Sequence, residues 1–334
     1  MRRYLLLVIV MLVSVMVNGH RSSAPYQRAL VQENPRTVNG HRSMVNGQRS
    51  MVNGQWSMVT GQWSTVNDKK PGSAHIRWGT FNIRLQNDGD ERAGVGWSVR
   101  RDRVADYIRK NHIDVVGMQE VLHAQLEDLL ARLPEYDYVG VGRTDGATKG
   151  EYSPVFFLKE KFEVLEKGNF WLSETPEVPG SVGWDAALER IASYAKLRDK
   201  ATGKVFMAVN THFDHVGVKA RRESAKLIMR KIQEIVGTRP AVVTGDFNVT
   251  ENDEAYKTMT TNTFKMNDAY HMTPNHTGTC YTWHQFCQIP PLKCEKIDFI
   301  FITPTIRVNH SHIEVPNPAA MLSDHNPHWA DLEF

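Results

Sequence analysis

The chain has 334 residues, 41% of them hydrophobic, enough for one large domain or two ordinary ones and too apolar for a wholly disordered polymer. Its formal charge of +3 is uneven: residues 1–72 hold nine Lys or Arg against two acids, leaving 31 bases against 35 acids in the remainder. A body at −4 lacks the uniformly basic surface of a protein that binds duplex phosphates non-specifically, although a local basic patch is compatible with it. Arg2-Arg3 and the apolar run Tyr4 to Val17 have the pattern of a secretory leader and are short for a membrane span. Residues 1–24 are therefore expected to be a signal peptide, with Ser22 to Ala24 the nearest cleavage region and an uncleaved signal anchor as the alternative. A secreted, extracellular protein follows. From Thr37 a heptapeptide recurs: Thr37 to Ser43, Met44 to Ser50, Met51 to Ser57 and Met58 to Ser64, and Met16 to Ser22 already shows the same Met-Val-Asn-Gly-His-Arg-Ser. Each unit carries Asn-Gly or Thr-Gly and no apolar d position, so no coiled-coil seam exists, and residues 25–72 are expected to be a disordered low-complexity tether. The domain boundary is placed near Pro71-Gly72-Ser73.

In the body, residues 73–334, Ile76 to Asn82 reads as a strand, Trp97 to Lys110 as an amphipathic helix, Asp114 to Gln119 as a buried strand and His123 to Leu133 as a helix. A further helix, Val218 to Val236, feeds the apolar strand Ala241-Val242-Val243-Thr244. Lys296 to Thr303, Ile306 to Glu314 and His328 to Phe334 read as later strands. Helices interleaved with many strands, several joined without a helix, suggest a layered α/β sandwich rather than a purely parallel sheet.

Polar residues gather at the strand ends. Gly245-Asp246-Phe247-Asn248 leaves its strand with Asp246 and Asn248 on the same side, where they can hold a water or a phosphate oxygen between them. Asn82 closes the first strand, Glu120 follows the second in Gln119-Glu120, His212 follows Val209-Asn210-Thr211, and Ser323-Asp324-His325 precedes the last strand. Asp298, inside Ile297-Asp298-Phe299-Ile300-Phe301, needs a partner, because an unpaired charge in an apolar strand is costly; a histidine is the natural one. Carboxylates, imidazoles and carboxamides together are the set that phosphate-ester hydrolysis through a hard metal ion requires.

In their order along the chain, Asn82, Gln119-Glu120, His212, Gly245-Asp246-Phe247-Asn248, Asp298 and Ser323-Asp324-His325 resemble the endonuclease/exonuclease/phosphatase superfamily over roughly residues 74–334. The stretches Glu151-Tyr152-Ser153-Pro154, Phe170 to Pro176 and Gly183 to Ala187 look like its secreted bacterial and deadenylase-like members. The resemblance implies a four-layered, DNase I-like α/β sandwich of two packed mixed sheets flanked by helices. It implies that Glu120 ligates Mg²⁺ or Mn²⁺ with Asn82 and Asp324 completing the site. It further implies that Asp246 orients and deprotonates water, Asn248 donates to a phosphoryl oxygen, and His212 stabilises the phosphoryl charge or protonates the leaving group. Asp298 pairs with His325 in the same scheme, and Tyr152 either contacts the phosphate or packs as a core tyrosine.

Cys280, Cys287 and Cys294 permit one disulfide in an exported protein and leave one thiol over. Their Cys-x6-Cys-x6-Cys spacing fits no two-by-two zinc pattern despite His271, His276 and His284 nearby, so a disulfide-closed surface insertion is expected. Trp283 and Phe286 in it are placed either on a substrate lip or packed under the loop. Asn248, Asn275 and Asn309 head glycosylation sequons, although a catalytic Asn248 cannot carry a glycan. The expected substrate is a phosphate ester in nucleic acid, as for an RNA 3′ exonuclease or DNase, acted on by a monomer without a membrane span once the leader is cleaved. Inositol phosphates or sphingomyelin are the alternative substrates, and a non-catalytic secreted binding protein on the same scaffold is the alternative of another class.

Overall fold

A computed structural model describes residues 49–52, 55–58, 72–237 and 239–334. The expected leader, residues 1–24, lies outside the described residues, and the chain divides into two units after Asp68. In the first unit, β1 (Arg49–Val52) and β2 (Gln55–Met58) pair antiparallel, Arg49 opposite Met58 and Val52 opposite Gln55. The expected tether without regular structure therefore does not extend to these eight residues. Asn-Gly between two short alternating runs is a strong local hairpin signal.

The second unit contains, in chain order, β3 (His75–Asn82), α1 (Asp88–Arg92), α2 (Trp97–Lys110), β4 (Val115–Gln119), α3 (His123–Arg132), β5 (Tyr136–Val139), β6 (Val155–Leu158), β7 (Phe162–Trp171), β8 (Ile191–Asp199) and β9 (Val205–His212). It continues with α4 (Val218–Val236), β10 (Ala241–Asp246), α5 (Glu254–Thr261), β11 (Asn267–Asp268), β12 (His276–Gly278), β13 (Asp298–Ile302), β14 (Arg307–Ile313) and β15 (His328–Glu333). One sheet runs β12-β14-β15-β3-β4-β6-β5 and the other β11-β13-β10-β9-β8-β7. The hairpin strands β5 to β8 escape the sequence reading because strands such as β7 carry a mostly exposed face and no clean alternation.

The two-residue alternation of the strands builds three cores. Val115 of β4, Trp78 of β3, Ala208 of β9, Val242 of β10 and Ile300 of β13 meet between the sheets. Val116 and Met118 point the other way, onto Val104 and Ile108 of α2 and Leu126 and Leu129 of α3. On the opposite outer face Val243 and Phe301 pack with Ile228 and Ile232 of α4 and Met259 of α5. The result is the expected layered sandwich of two mixed sheets flanked by helices. β3 and β4 are parallel, as are β9 and β10, so their carboxyl ends reach one edge of the sandwich; β13, antiparallel to β10, begins at that same edge. Open α/β sheets hold ligands at such an edge.

Candidate active site

Register aligns the strand ends. Asn82 stands beside Gln119, Asp246 beside His212 on one flank and Asp298 on the other, and Glu120 follows β4 with φ at 62°. A left-handed φ is unfavourable for a residue with a Cβ, and here it turns the Glu120 carboxylate back toward β3. Asn82, fully buried, donates from Nδ2 to Glu120 Oε1 and to Asp246 Oδ2, each at 3.0 Å. Leu85 N donates to Glu120 Oε2 at 3.0 Å, and Asn248 N donates to Asp246 Oδ1 at 2.9 Å. Leu85, Glu120, Asp246 and Asn248 line a cavity of about 480 Å³ together with Asp324, His325 and Trp283.

Asp246 and Asp298 face each other on adjacent strands, and His325 lies against both. Its Nδ1 is 2.8 Å from Asp298 Oδ2 and its Nε2 is 3.8 Å from Asp246 Oδ2. Burial opposes charging of this imidazole, but the charge and hydrogen bond of Asp298, with Asp246 and Asp324, push its pKa up to about 10. Burial and the Asp298 charge push the Asp246 carboxyl up to about 7, against the pull of His325 and the Asn82 amide. Asp324, whose Oδ1 accepts from Ser323 Oγ at 3.2 Å, is also raised by burial, with His325 and Arg84 opposing.

His212 is held neutral: burial keeps it well below its ordinary pKa, and Arg190 and Arg143 add to this. Asn248 Nδ2 donates to Phe213 O at 3.0 Å and faces His212 Nε2 at 3.1 Å, so Nε2 accepts and Nδ1 carries the proton. That Nδ1 has no hydrogen-bond partner among the described residues and lies 3.7 Å from Glu151 Oε2.

Several sequence expectations change here. Tyr152 was expected to contact phosphate; its hydroxyl instead donates to Ala147 O at 3.0 Å and meets His123 Nδ1 at 3.0 Å, and the ring does not line the cavity. Its neighbour Glu151 does line it, because alternate residues of an extended segment face opposite ways. Asn248 was expected to donate to the phosphoryl group; both of its amide hydrogens are engaged within the chain. The expected disulfide is absent: all three cysteines are free, with Cys287 N donating to His284 Nδ1 at 3.0 Å and the Cys294 thiol near Ile289 O at 3.5 Å. Of the two aromatics beside them, Trp283 reaches the cavity, whereas Phe286 lies 5.7 Å from the buried Arg100 guanidinium.

One wall of the cavity was not foreseen. Arg143 grips Glu151 through two bonds, at 2.7 and 2.9 Å. Arg190 Nε donates to Asp214 Oδ2 at 3.3 Å and its Nη2 to His215 Nδ1 at 3.1 Å. Arg143 Nε, 3.9 Å from Glu189 Oε1, and Arg190 Nη1 are buried without a hydrogen-bond partner among the described residues. Asp214 collects the N–H groups of Ala187, Leu188, Val216 and Gly217, and although burial opposes ionisation, these bonds and Arg190 hold its pKa down at about 2. These residues sit on loops without periodic pattern. The available signal is Glu151, adjacent to Tyr152 in the chain.

Glu120, His212 and Asp246 bring ligand atoms within 4.8 Å of one another, as do Asp246, Asp298 and His325. The first group fits a hard divalent cation: it offers carboxylate oxygens, and Asp246 is held near neutrality by burial that a cation would offset. Asp324 lines the same cavity, and Arg84 Nη1 lies 3.9 Å from its Oδ2 and from Glu120 Oε2.

Comparison with known proteins places these features in a wider set. A crystal structure of an endonuclease/exonuclease/phosphatase from Bacteroides vulgatus is 58% identical, covering 78% of this chain and 99% of that one with a TM-score of 0.77. A Bacteroides thetaiotaomicron mannosyl-6-phosphatase is 37% identical, covering 78% of this chain and 100% of that one at 0.73. The human Nocturnin catalytic domain, at 21% identity and a TM-score of 0.60 over 77% of this chain and 94% of that one, shares the fold. The chain spans 65% or less of the length of the curated relatives it matches. The family model matches residues 79–325, a span that runs from within β3 to His325 and so takes in every strand end at the cavity, and the chain belongs to the Endonuclease/Exonuclease/phosphatase family.

Proposed function

We propose that this protein is a secreted, divalent-metal-dependent hydrolase of phosphate esters whose substrate is a small phosphomonoester of the sugar-phosphate class. The observation that carries the reading is the wall of Arg143, Glu151 and Arg190, two guanidinium groups and a carboxylate lining a cavity of about 480 Å³, with Glu151 held by Arg143 and Arg190 by Asp214. Guanidinium donors beside a carboxylate suit a compact ligand carrying both an anion and hydroxyls. The 37% identity to a mannosyl-6-phosphatase over that protein's whole length supports the same class. A nucleic-acid phosphodiester is the second reading, favoured by Trp283 on the cavity wall, against which a base could stack.

Glu120 and Asp246, with Asn82 between them, would hold Mg²⁺ or Mn²⁺, which when bound neutralises phosphoryl charge and acidifies water. Asp246 Oδ accepts the proton of the attacking water, and the Asn248 backbone N–H fixes that carboxylate. His325, kept cationic by Asp298, faces the developing phosphoryl charge with a preorganised donor. His212 presents Nδ1–H toward Glu151, where it orients the leaving oxygen, and Arg190 neutralises the bound anion.

Full-length protein incubated with Mg²⁺, Mn²⁺ or chelator against hexose 6-phosphates, inositol phosphates, single-stranded RNA and DNA, and sphingomyelin tests this. Chelator-sensitive phosphate release from a hexose phosphate is the expected result; strand cleavage alone would replace the sugar-phosphate reading with the second. Export is tested by sequencing the N-terminus of protein recovered outside the cell: a start near Ser22 to Ala24 is expected, and an intact leader on retained protein would refute it.

A further inference from the structure

Between Asp298 and His325 in the chain, β14 carries His310 and His312, two residues apart beyond a bulge at Val308/His310, and both rings pack against Trp329 of β15 at centroid distances of 5.1 and 4.9 Å. Their near nitrogens converge. His310 Nε2 lies 2.8 Å and His312 Nδ1 2.7 Å from the same atom, Thr277 Oγ1 on the parallel edge strand β12. A hydroxyl has one hydrogen, so it satisfies one ring as a donor and the other only as an acceptor. Of the far nitrogens, His312 Nε2 is backed by Glu314 Oε2 at 3.3 Å, whereas Asp331 Oδ2, 3.9 Å from His310 Nδ1, accepts from Arg77 Nη2 at 2.9 Å. Glu314 behind the His312 ring places its proton on Nε2 and aims the Nδ1 lone pair at Thr277 Oγ1, where His310 Nε2 also converges.

We propose that His310 and His312, with Thr277 as an oxygen donor, bind an imidazole-seeking divalent transition-metal ion such as Zn²⁺, Ni²⁺ or Cu²⁺. Nitrogen donors at this spacing select such ions over Mg²⁺ or Ca²⁺, which take oxygen. Burial, with the neighbouring His312 adding and Asp331 opposing, lowers the His310 pKa, so this ring is free to ligate at neutral pH. The site is distinct from the Glu120–His212–Asp246 group, which shares none of its residues. Its consequence is structural: all three residues of β12 are exposed, and an ion shared with β14 pins this edge and, through it, the segment that carries Trp283 to the catalytic cavity.

The test uses full-length protein with Mg²⁺ in excess to occupy oxygen sites, titrated with Zn²⁺ by calorimetry and with Cu²⁺ by electron paramagnetic resonance. Parent protein should show a component with two coordinated ring nitrogens that is missing from the His310→Gln/His312→Gln double variant, and Glu314→Gln should weaken that component about tenfold. Because the double variant could misfold, ring ¹⁵N resonances of the parent are followed as well, and Zn²⁺ should move those of His310 and His312. Unchanged His310 and His312 resonances, or equal Zn²⁺ stoichiometry and affinity in a folded double variant, would overturn the proposal.

Discussion

Asp246 concentrates the chemistry and the strain of the site in one carboxyl. Its folded pKa of about 7 stands above the ordinary 3.8, so its ionisation opposes folding increasingly from about pH 4 to about 7 and by a constant amount above that. Asp246→Asn should therefore lower kcat by about 10²- to 10⁴-fold while leaving the melting temperature at pH 8 equal or higher, measured by a rate assay beside circular dichroism. A variant with parental turnover would remove Asp246 from the mechanism. His325 shifts in the same direction, but here it is the charged form that the fold favours: its folded pKa near 10 exceeds the ordinary 6.5, so it stabilises the fold fully below about pH 6.5 and loses that contribution as pH rises through about 10. Asp298→Asn should move the His325 titration back toward neutrality, read from ring proton shifts, and pull the alkaline limb of the rate profile down with it; an unmoved titration would show that Asp298 is not the group that holds the charge. Asp246, Asp298 and His325 were legible in the sequence because each interrupts or ends an apolar run. Arg143 and Arg190 were not, since an arginine in a loop looks the same whether it faces solvent or a cavity.

At the scale of elements, the polar layer below the cavity ties the sheets together. Gln119 Nε2 donates to Asn210 Oδ1 at 2.6 Å, Thr244 Oγ1 donates to the same oxygen at 3.1 Å, and Asn210 Nδ2 donates to Met118 O and Pro154 O. Gly117 leaves room for that layer: a Cβ there would lie 2.1 Å from Thr244 Oγ1 and 2.4 Å from Asn210 Oδ1. Gly117→Ala should destabilise the protein by about 1–3 kcal/mol in denaturant titration, and parental stability would mean that the sheets can separate locally without loss. Helix α4 shows the limit of local reading. Its span was evident from apolar spacing, but Gly217 supplies no side-chain cap, and Asp185, distant in sequence, accepts from Ala220 N at 2.6 Å and Lys219 N at 3.1 Å. No local motif announces a cap delivered from another loop.

For the whole molecule, cation binding and protonation compete at one carboxyl. Affinity for Mg²⁺ should therefore rise with pH up to about 7 and level off above it, with protons released on binding, as calorimetry in two buffers of different ionisation enthalpy can measure. Affinity independent of pH would place the ion away from Asp246. By itself, the sequence determined the layered α/β class, most long helices and central strands, and the ordered polar positions at the strand ends, because hydrophobic periodicity and its interruptions are local properties of a chain. Tertiary structure alone decided which of those positions share a cavity, that Glu151 rather than Tyr152 faces it, that the three thiols stay apart, and that His310 and His312 converge on Thr277. Those outcomes depend on register, strand order and loop path, which are set by contacts between residues far apart in the chain.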